Sequence, residues 1–252
     1  MNDEILRDAG GSELLSNEGY CLTCDAETTF SAKCEWLRDY YVCEKCGSIP
    51  RERALIFCIE RHYPGWRELN IHESSPVFRG ASVKLKQQCA KYVSSHYFPD
   101  CPRGAIIGGM RNESLEKLTF PNESFDLFIT QDVMEHIFDP ARAFAEIARV
   151  LKPGGAHIFS APLVNKEKPS EVWAQRDDSH DIIYLQEPEY HDNPISDEGS
   201  LVTMHWGYDI CDFILEHSGL YTTMNYIENL LLGIRAEYIE ILISRKKKDC
   251  NG

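Results

Sequence analysis

The chain has 252 residues, 43% of them hydrophobic and 26% charged, which excludes wholesale disorder and suits one large domain with a small appendage. Forty acidic residues against 26 basic ones give a net charge of −14, so a phosphate backbone is repelled unless the cations are concentrated in one place. The start, Met1-Asn-Asp-Glu-Ile, has neither the basic nor the apolar region of a secretory signal, and no apolar run approaches the roughly 18–20 residues of a membrane span. A cytoplasmic setting without membrane contact is expected, where clustered cysteines more often hold metal than form disulfides.

Residues 1–18 are polar and acidic and read as a flexible tail. Residues 19–50 contain five of the ten cysteines. Cys21-Leu-Thr-Cys24 and Cys43-Glu-Lys-Cys46 are two CxxC pairs with eighteen residues between them. Each pair can chelate from one knuckle, and a hairpin between them brings four thiolates into a tetrahedron that suits structural Zn2+. A zinc-ribbon-like module is expected, with Cys34 pointing into its small core. A closed four-thiolate shell leaves no open position for catalysis.

From Pro50 the pattern changes to strands alternating with helices. A helix is predicted over 51–62, a strand over 69–72, a helix over 82–90, and strands over 92–95 and 125–130. Asp139-Pro140 supplies an N-cap and a first-turn proline for a helix with Phe144, Ile147, Val150 and Leu151 on one face. Lys152-Pro153-Gly154-Gly155 reads as its stop, followed by a strand over 157–161. Residues 163–206 break the rhythm with many Pro, Asp, Glu, Tyr and His and room for one short helix; such a stretch reads as an acceptor-binding or lid insertion. A helix over 208–217, strands over 220–226 and 238–244, and a basic tail over 246–252 complete the chain. The fold class is α/β, a doubly wound, mostly parallel sheet.

The run from Phe120 to Pro162 resembles the class I S-adenosylmethionine-dependent methyltransferases of the type 11 group. Phe125-Asp126 opens the fourth strand, Asp132-Val-Met-Glu135-His136 follows it, and Arg149-Val-Leu-Lys-Pro-Gly-Gly155 precedes the fifth. The resemblance implies a Rossmann-like domain over 51–245 with a seven-stranded sheet, S-adenosyl-L-methionine as cofactor, and Thr130, Gln131 and Asp132 near its methionine end. The family's first-strand pattern, an acid followed by a glycine-rich turn, is absent. Leu69-Asn70-Ile71-His72-Glu73-Ser74-Ser75-Pro76 has His72 and Ser74 where glycines belong, and the first glycine is Gly80. Either the loop takes a wider path lined by His72, Glu73, Ser74 and Gly80, or binding is lost; the intact later motifs favour the wider path. Ser95 and His96 take the ribose-facing positions, and Glu113, Ser114 and Leu115 the adenine-facing ones.

Methyl transfer needs an aligned acceptor and, for a hydroxyl, a base. The candidates are His136 and, in the insertion, His180, His191 and His205, weighed against a purely loop-ordering use of the same residues. Asp132, Glu135 and His136, at i, i+3 and i+4, resemble the Glu-x-x-Glu-His metal-ligand pattern of some metal-dependent O-methyltransferases, with His191 or His205 available to complete a site. The acidity favours a small-molecule or sugar-like acceptor over nucleic acid. Arg51, Arg53, Arg61 and Arg67 offer a basic strip that would suit the alternative, an RNA or protein methyltransferase gripping its target with the zinc module. A third reading is a non-catalytic zinc-binding adaptor on a degenerate methyltransferase fold.

Overall fold

The computed structural model describes residues 14–179, 181–193 and 196–248. The tail up to residue 13, His180, Pro194 and Cys250 lie outside the described residues. The N-terminal unit is an antiparallel sheet of β1 (Leu15–Cys21), β2 (Ala26–Ala32) and β3 (Val42–Cys43), in the order β1-β2-β3, with the short helix α1 (Leu37–Tyr40) between the last two. Its core is Cys21, Phe30, Ala32, Tyr41 and Cys43. Cys34, expected inside that core, is only half-buried and stays outside it, because β2 has ended two residues earlier.

Helix α2 (Pro50–His62) starts with a proline in its first turn, and Glu52 closes the cap by accepting from the Ile49 amide at 3.1 Å. Then come β4 (Ile71–Ser74), α3 (Gly80–Gln88), β5 (Tyr92–His96), β6 (Ile106–Ile107), β7 (Met110–Asn112), β8 (Phe125–Gln131), α4 (Pro140–Val150) and β9 (Leu151–Ser160). Asp139 caps α4 by accepting from the Arg142 amide at 3.0 Å. The Lys-Pro-Gly-Gly turn is not the helix stop expected of it. The helix ends at Val150, and the turn is a bulge inside β9, where Phe125 pairs with Leu151 but Leu127 already pairs with Ala156.

The insertion holds β10 (Glu171–Val172), β11 (Ala174–Arg176), β12 (Ile182–Tyr184), β13 (Tyr190–Asn193), β14 (Ser196–Leu201) and β15 (Met204–His205). They pair as β10-β15, β11-β12 and β13-β14, so the short helix expected there is replaced by strand pairs. The chain ends with α5 (Ile210–Ser218), β16 (Tyr221–Asn225) and β17 (Ile241–Arg245).

The large sheet runs β16-β17-β9-β8-β4-β5-β7-β6. The contacts β4-β5, β4-β8, β5-β7 and β8-β9 are parallel, while β17 is antiparallel to both neighbours. It is the expected seven-stranded sheet with one two-residue strand, β6, added at the edge. Alternation along the strands builds two cores. Ile71, Leu127, Ile129, Ile158, Ile241 and Ile243 face α2 and α3, whereas Phe128, Phe159 and Leu242 face α4 and α5. Strand order turns at β4, with β5 on one side and β8 on the other, so a crevice forms beyond the carboxyl ends of these strands.

The N-terminal unit docks on the large sheet's α2 face. Arg53, fully buried, donates to the carbonyls of Tyr41 and Gly233 at 2.7 and 2.6 Å, and also to that of Ser48. Lys84 of α3 donates to the Leu22 carbonyl at 2.7 Å and pairs with Asp25 at 2.6 Å. Gly233 has φ +63°, and a Cβ there would lie 2.5 Å from the buried Phe30 ring. Gly233→Ala is therefore expected to cost about 1–3 kcal/mol, from left-handed strain plus overpacking, read as a lowered urea midpoint with unchanged m-value.

Candidate functional site

The four CxxC cysteines converge. Their sulfurs all lie within 4.8 Å of one another, with Cys21–Cys46 at 3.7 Å and Cys24–Cys43 at 3.9 Å. A zinc–sulfur bond of about 2.3 Å gives a tetrahedron edge of about 3.8 Å, so the donor set fits the ion. Burial and the neighbouring Cys21 push the Cys24 thiol up to about 12. Elemental analysis is expected to find zinc that Cys24→Ser with Cys46→Ser removes, together with a fall of several degrees in Tm; unchanged metal content in that variant contradicts the assignment.

Beside this centre, α1 and α2 send two arginines to the end of β8. Arg38 and Arg51 each reach Asp132 Oδ2 at 2.8 Å, and Ser160 Oγ donates to Asp132 Oδ1 at 2.7 Å. Asp39 pairs with Arg51 at 2.5 Å and accepts from the Trp36 indole at 2.7 Å, so two carboxylates balance two guanidiniums. Burial opposes ionisation of Asp132, but Arg38 and Arg51 outweigh it and hold its carboxyl well below the usual carboxylate range. Asp132 is thus an anchor for the cysteine module and not a member of a triad with Glu135 and His136. Nothing local in the sequence marks Arg38, whose partner is 94 residues away.

Beyond the ends of the parallel strands lies a cleft of about 100 Å³, lined by Ser74, Ser75, Tyr97, Glu113–Glu116, Val133, His136, Ile137, Phe138 and Arg176. Of the expected site residues, Ser74, Glu113, Ser114, Leu115 and His136 line this cleft, and so do Ser75, Tyr97 and Val133, each one residue beyond an expected position. The sharp turn after β4 is made without glycine, by Ser75 at φ +55°. His96, at the end of β5, is 2% exposed and its Nε2 has no hydrogen-bond partner among the described residues. A buried, unmatched ring nitrogen at the strand end suits a polar ligand group such as a ribose hydroxyl.

Several expected ligand positions turn inward instead. His72 lies among Phe120, Phe125 and Phe128, bonded to Ser95 Oγ at 3.0 Å, and burial drives it down to about 3, so both His72 and Ser95 belong to the core. Thr130 alternates to the same face and meets His157 Nε2 at 2.9 Å. Glu73 and Gln131 take the opposite face. Glu73 accepts from Ser82, Gln131 and Tyr92 at 2.7, 2.8 and 2.7 Å, and burial still raises its carboxyl. Gly80 packs on α2: a Cβ there would fall 2.1 Å from the Glu52 carboxylate. Of the wider loop proposed around the cleft, Ser74 alone of His72, Glu73, Ser74 and Gly80 lines it.

Glu113 lines the cleft but is saturated by Arg111 at 2.6 Å and by the Thr119 amide at 2.8 Å. In the insertion, His205 stacks on Trp173 with centroids 3.8 Å apart and donates to Glu189 at 3.0 Å. His191 sits beside His136, with ring centroids 5.1 Å apart. Of the four arginines of the expected basic strip, Arg61 is exposed and Arg51 and Arg53 are turned inward. Arg51 and Arg53 are consumed by internal partners, and Arg67 pairs with Glu60 at 2.9 Å while lying over Trp66. Asp132→Asn is expected to cost about 3–5 kcal/mol near neutral pH, since it strands two buried guanidiniums. The carboxylate's contribution is complete above the unfolded pKa of about 4 and is lost as pH falls toward the folded value, so urea midpoints of the two proteins should converge in acid.

The family model described as a methyltransferase domain matches residues 84–159, from the middle of α3 to the penultimate residue of β9. An uncharacterized methyltransferase of Schizosaccharomyces pombe is 38% identical over 68 residues, 25% of this chain and 24% of that protein. The dimethylglycine N-methyltransferase of Parasynechococcus marenigrum is 37% identical over 54 residues, 21% of this chain and 19% of that protein. The chain therefore spans a quarter or less of these relatives. An S-adenosylmethionine-dependent methyltransferase structure from Mesorhizobium loti has 17% identity, covers 77% of this chain and 98% of its own, and gives a TM-score of 0.46. The segment 84–159, which supplies the strands and helices around one side of the cleft, is the part of the chain that matches the methyltransferase-domain family model.

Proposed function

We propose that the protein is an S-adenosylmethionine-dependent methyltransferase acting on a small-molecule or sugar-like acceptor. The observation that carries this reading is the position of the cleft. It opens at the carboxyl ends of β4, β5, β7 and β8, where an open α/β sheet binds ligands, and the methyltransferase-family segment forms much of its wall. His96 and Tyr97 after β5, Ser114 and Leu115 after β7, Ser74 and Ser75 after β4, and Val133 after β8 would hold the cofactor. The bound cofactor supplies an electrophilic methyl on sulfur. The chain's part is to align an acceptor atom with it, exclude water and take up a proton where the acceptor is a hydroxyl. His136 is the histidine on the cleft wall, with His191 beside it, and burial lowers the His136 ring. The insertion covers this corner: Thr203 and Trp206 hold the 134–137 backbone through bonds to the carbonyls of Met134, Glu135 and Ile137.

Charge supports the small-molecule acceptor. The surface is net negative, and arginines that would have gripped a phosphate backbone are engaged internally. No helix of the described residues is long and apolar enough to cross a membrane. Calorimetry with S-adenosylhomocysteine is expected to give a Kd on the order of 1–100 µM, weakened in His96→Ala. A metabolite extract incubated with methyl-labelled cofactor should carry the label in a small-molecule fraction. Absence of cofactor binding overturns the enzymatic reading; label found only in RNA or protein overturns the acceptor.

A further inference from the structure

Glu135 is buried, 1% exposed, and neither of its carboxylate oxygens has a hydrogen-bond partner among the described residues. An unpaired buried carboxylate is costly, so its surroundings carry information. Its Oε1 faces His136 Nε2 at 3.8 Å and His191 Nδ1 at 4.0 Å, and the three atoms lie within 4.8 Å of one another. The far nitrogen of each histidine is occupied. His136 Nδ1 lies 2.9 Å from the Leu201 carbonyl, which can only accept, so the proton is on Nδ1 and the Nε2 lone pair faces Glu135. His191 Nε2 lies 3.3 Å from Glu189 Oε1, which places its proton there and its Nδ1 lone pair toward the same point. Glu189 is steadied in turn by His205 at 3.0 Å.

Three electron-pair donors thus point at one space with no donor hydrogen between them. That arrangement repels itself unless a cation sits inside, and imidazoles oriented by a carbonyl and a carboxylate are what a metal-binding histidine needs. We propose that Glu135, His136 and His191 bind a divalent first-row transition-metal ion, through one carboxylate oxygen and two imidazole nitrogens. The nitrogen content disfavours magnesium and calcium, which take oxygen ligands. Bonds of about 2.0–2.2 Å require the donors to draw in by well under 1 Å from their present spacing, within reach of side-chain rotation. His136 lines the cleft, so the ion's open positions face it and suit water or an oxygen-bearing ligand. Of the set suggested by spacing, Asp132 is committed to arginines and drops out, while His191, one of the two histidines expected to complete the site, joins Glu135 and His136. Its existence does not depend on methyl transfer, and its occupancy is measured without cofactor.

The test is Co2+ titration of the full zinc-loaded chain, followed by visible absorption. With the four cysteines filled by zinc, the expected result is one further equivalent of Co2+ with d–d bands and no thiolate charge-transfer band. His191→Ala and Glu135→Gln should each weaken that binding by about tenfold or more, with zinc content and circular dichroism unchanged. His191 is at the surface, so its truncation leaves the fold intact. Failure to bind a second equivalent, or variants that titrate like the parent, overturns the proposal in favour of a proton shared between Glu135 and a histidine. Magnesium displacing Co2+ at equal concentration overturns the assignment to transition metals.

Discussion

The Asp132 carboxylate, set between Arg38 and Arg51, is the contact on which the rest of the arrangement hangs. It joins the cysteine module to the end of β8, the strand whose exit forms one wall of the cleft. Burying such a group is unfavourable by itself. The geometry recovers the cost through direct bonds to two guanidiniums, a hydroxyl from Ser160 and a second carboxylate, Asp39, that leaves the cluster neutral. The cysteine module positions Arg38, and Arg38 restrains the turn after β8. In this structure the cysteine module braces the cleft.

That reading changes what the chain's acidity means. A net charge of −14 spread over the surface argues against polyanionic partners in general terms, yet a local cluster of arginines would defeat the argument. Three of the four arginines of the expected strip have partners within the chain. Arg53 is a bolt through three carbonyls, Arg51 neutralises two aspartates, and Arg67 lies over an indole. Cations used to pay internal desolvation are not available to counterions or phosphates.

What the sequence discloses and what it hides follow from the range of the interaction. The cysteine pairs, the Asp139-Pro140 start of α4 and the strand-helix alternation are local patterns, and each is found within a few residues of its predicted place. The direction in which a strand-end residue points depends on register, where a shift of one reverses the face. His72, Glu73, Thr130 and Gln131 are therefore correctly placed along the chain at the strand ends and wrongly aimed: two go to one core and two to the other. Gly80 is needed, but for its closeness to Glu52 and not for a ligand. The pairing of Asp132 with Arg38 and the approach of His191 to Glu135 depend on the fold as a whole, and spacing carries no trace of either.

Backbone strain is placed in keeping with this design. Asp132 and Ser75 have φ of +50° and +55°, and each directly follows a central parallel strand, β8 and β4, at the rim of the same cleft. For residues with a Cβ such conformations cost on the order of 1–3 kcal/mol and persist where surrounding contacts over-determine them. Those contacts can be named. The Ser75 amide donates to the Ser95 carbonyl at 2.7 Å, and the Asp132 amide donates to the Ser160 carbonyl at 3.0 Å, each tying the strained residue to the neighbouring parallel strand. At Asp132 the arginines add a second restraint through the side chain. Glycine would remove the strain at either place, but at Asp132 it would also remove the carboxylate that holds the module. A side chain is thus kept in the left-handed turn at Asp132 because that turn also bears a load from outside the sheet.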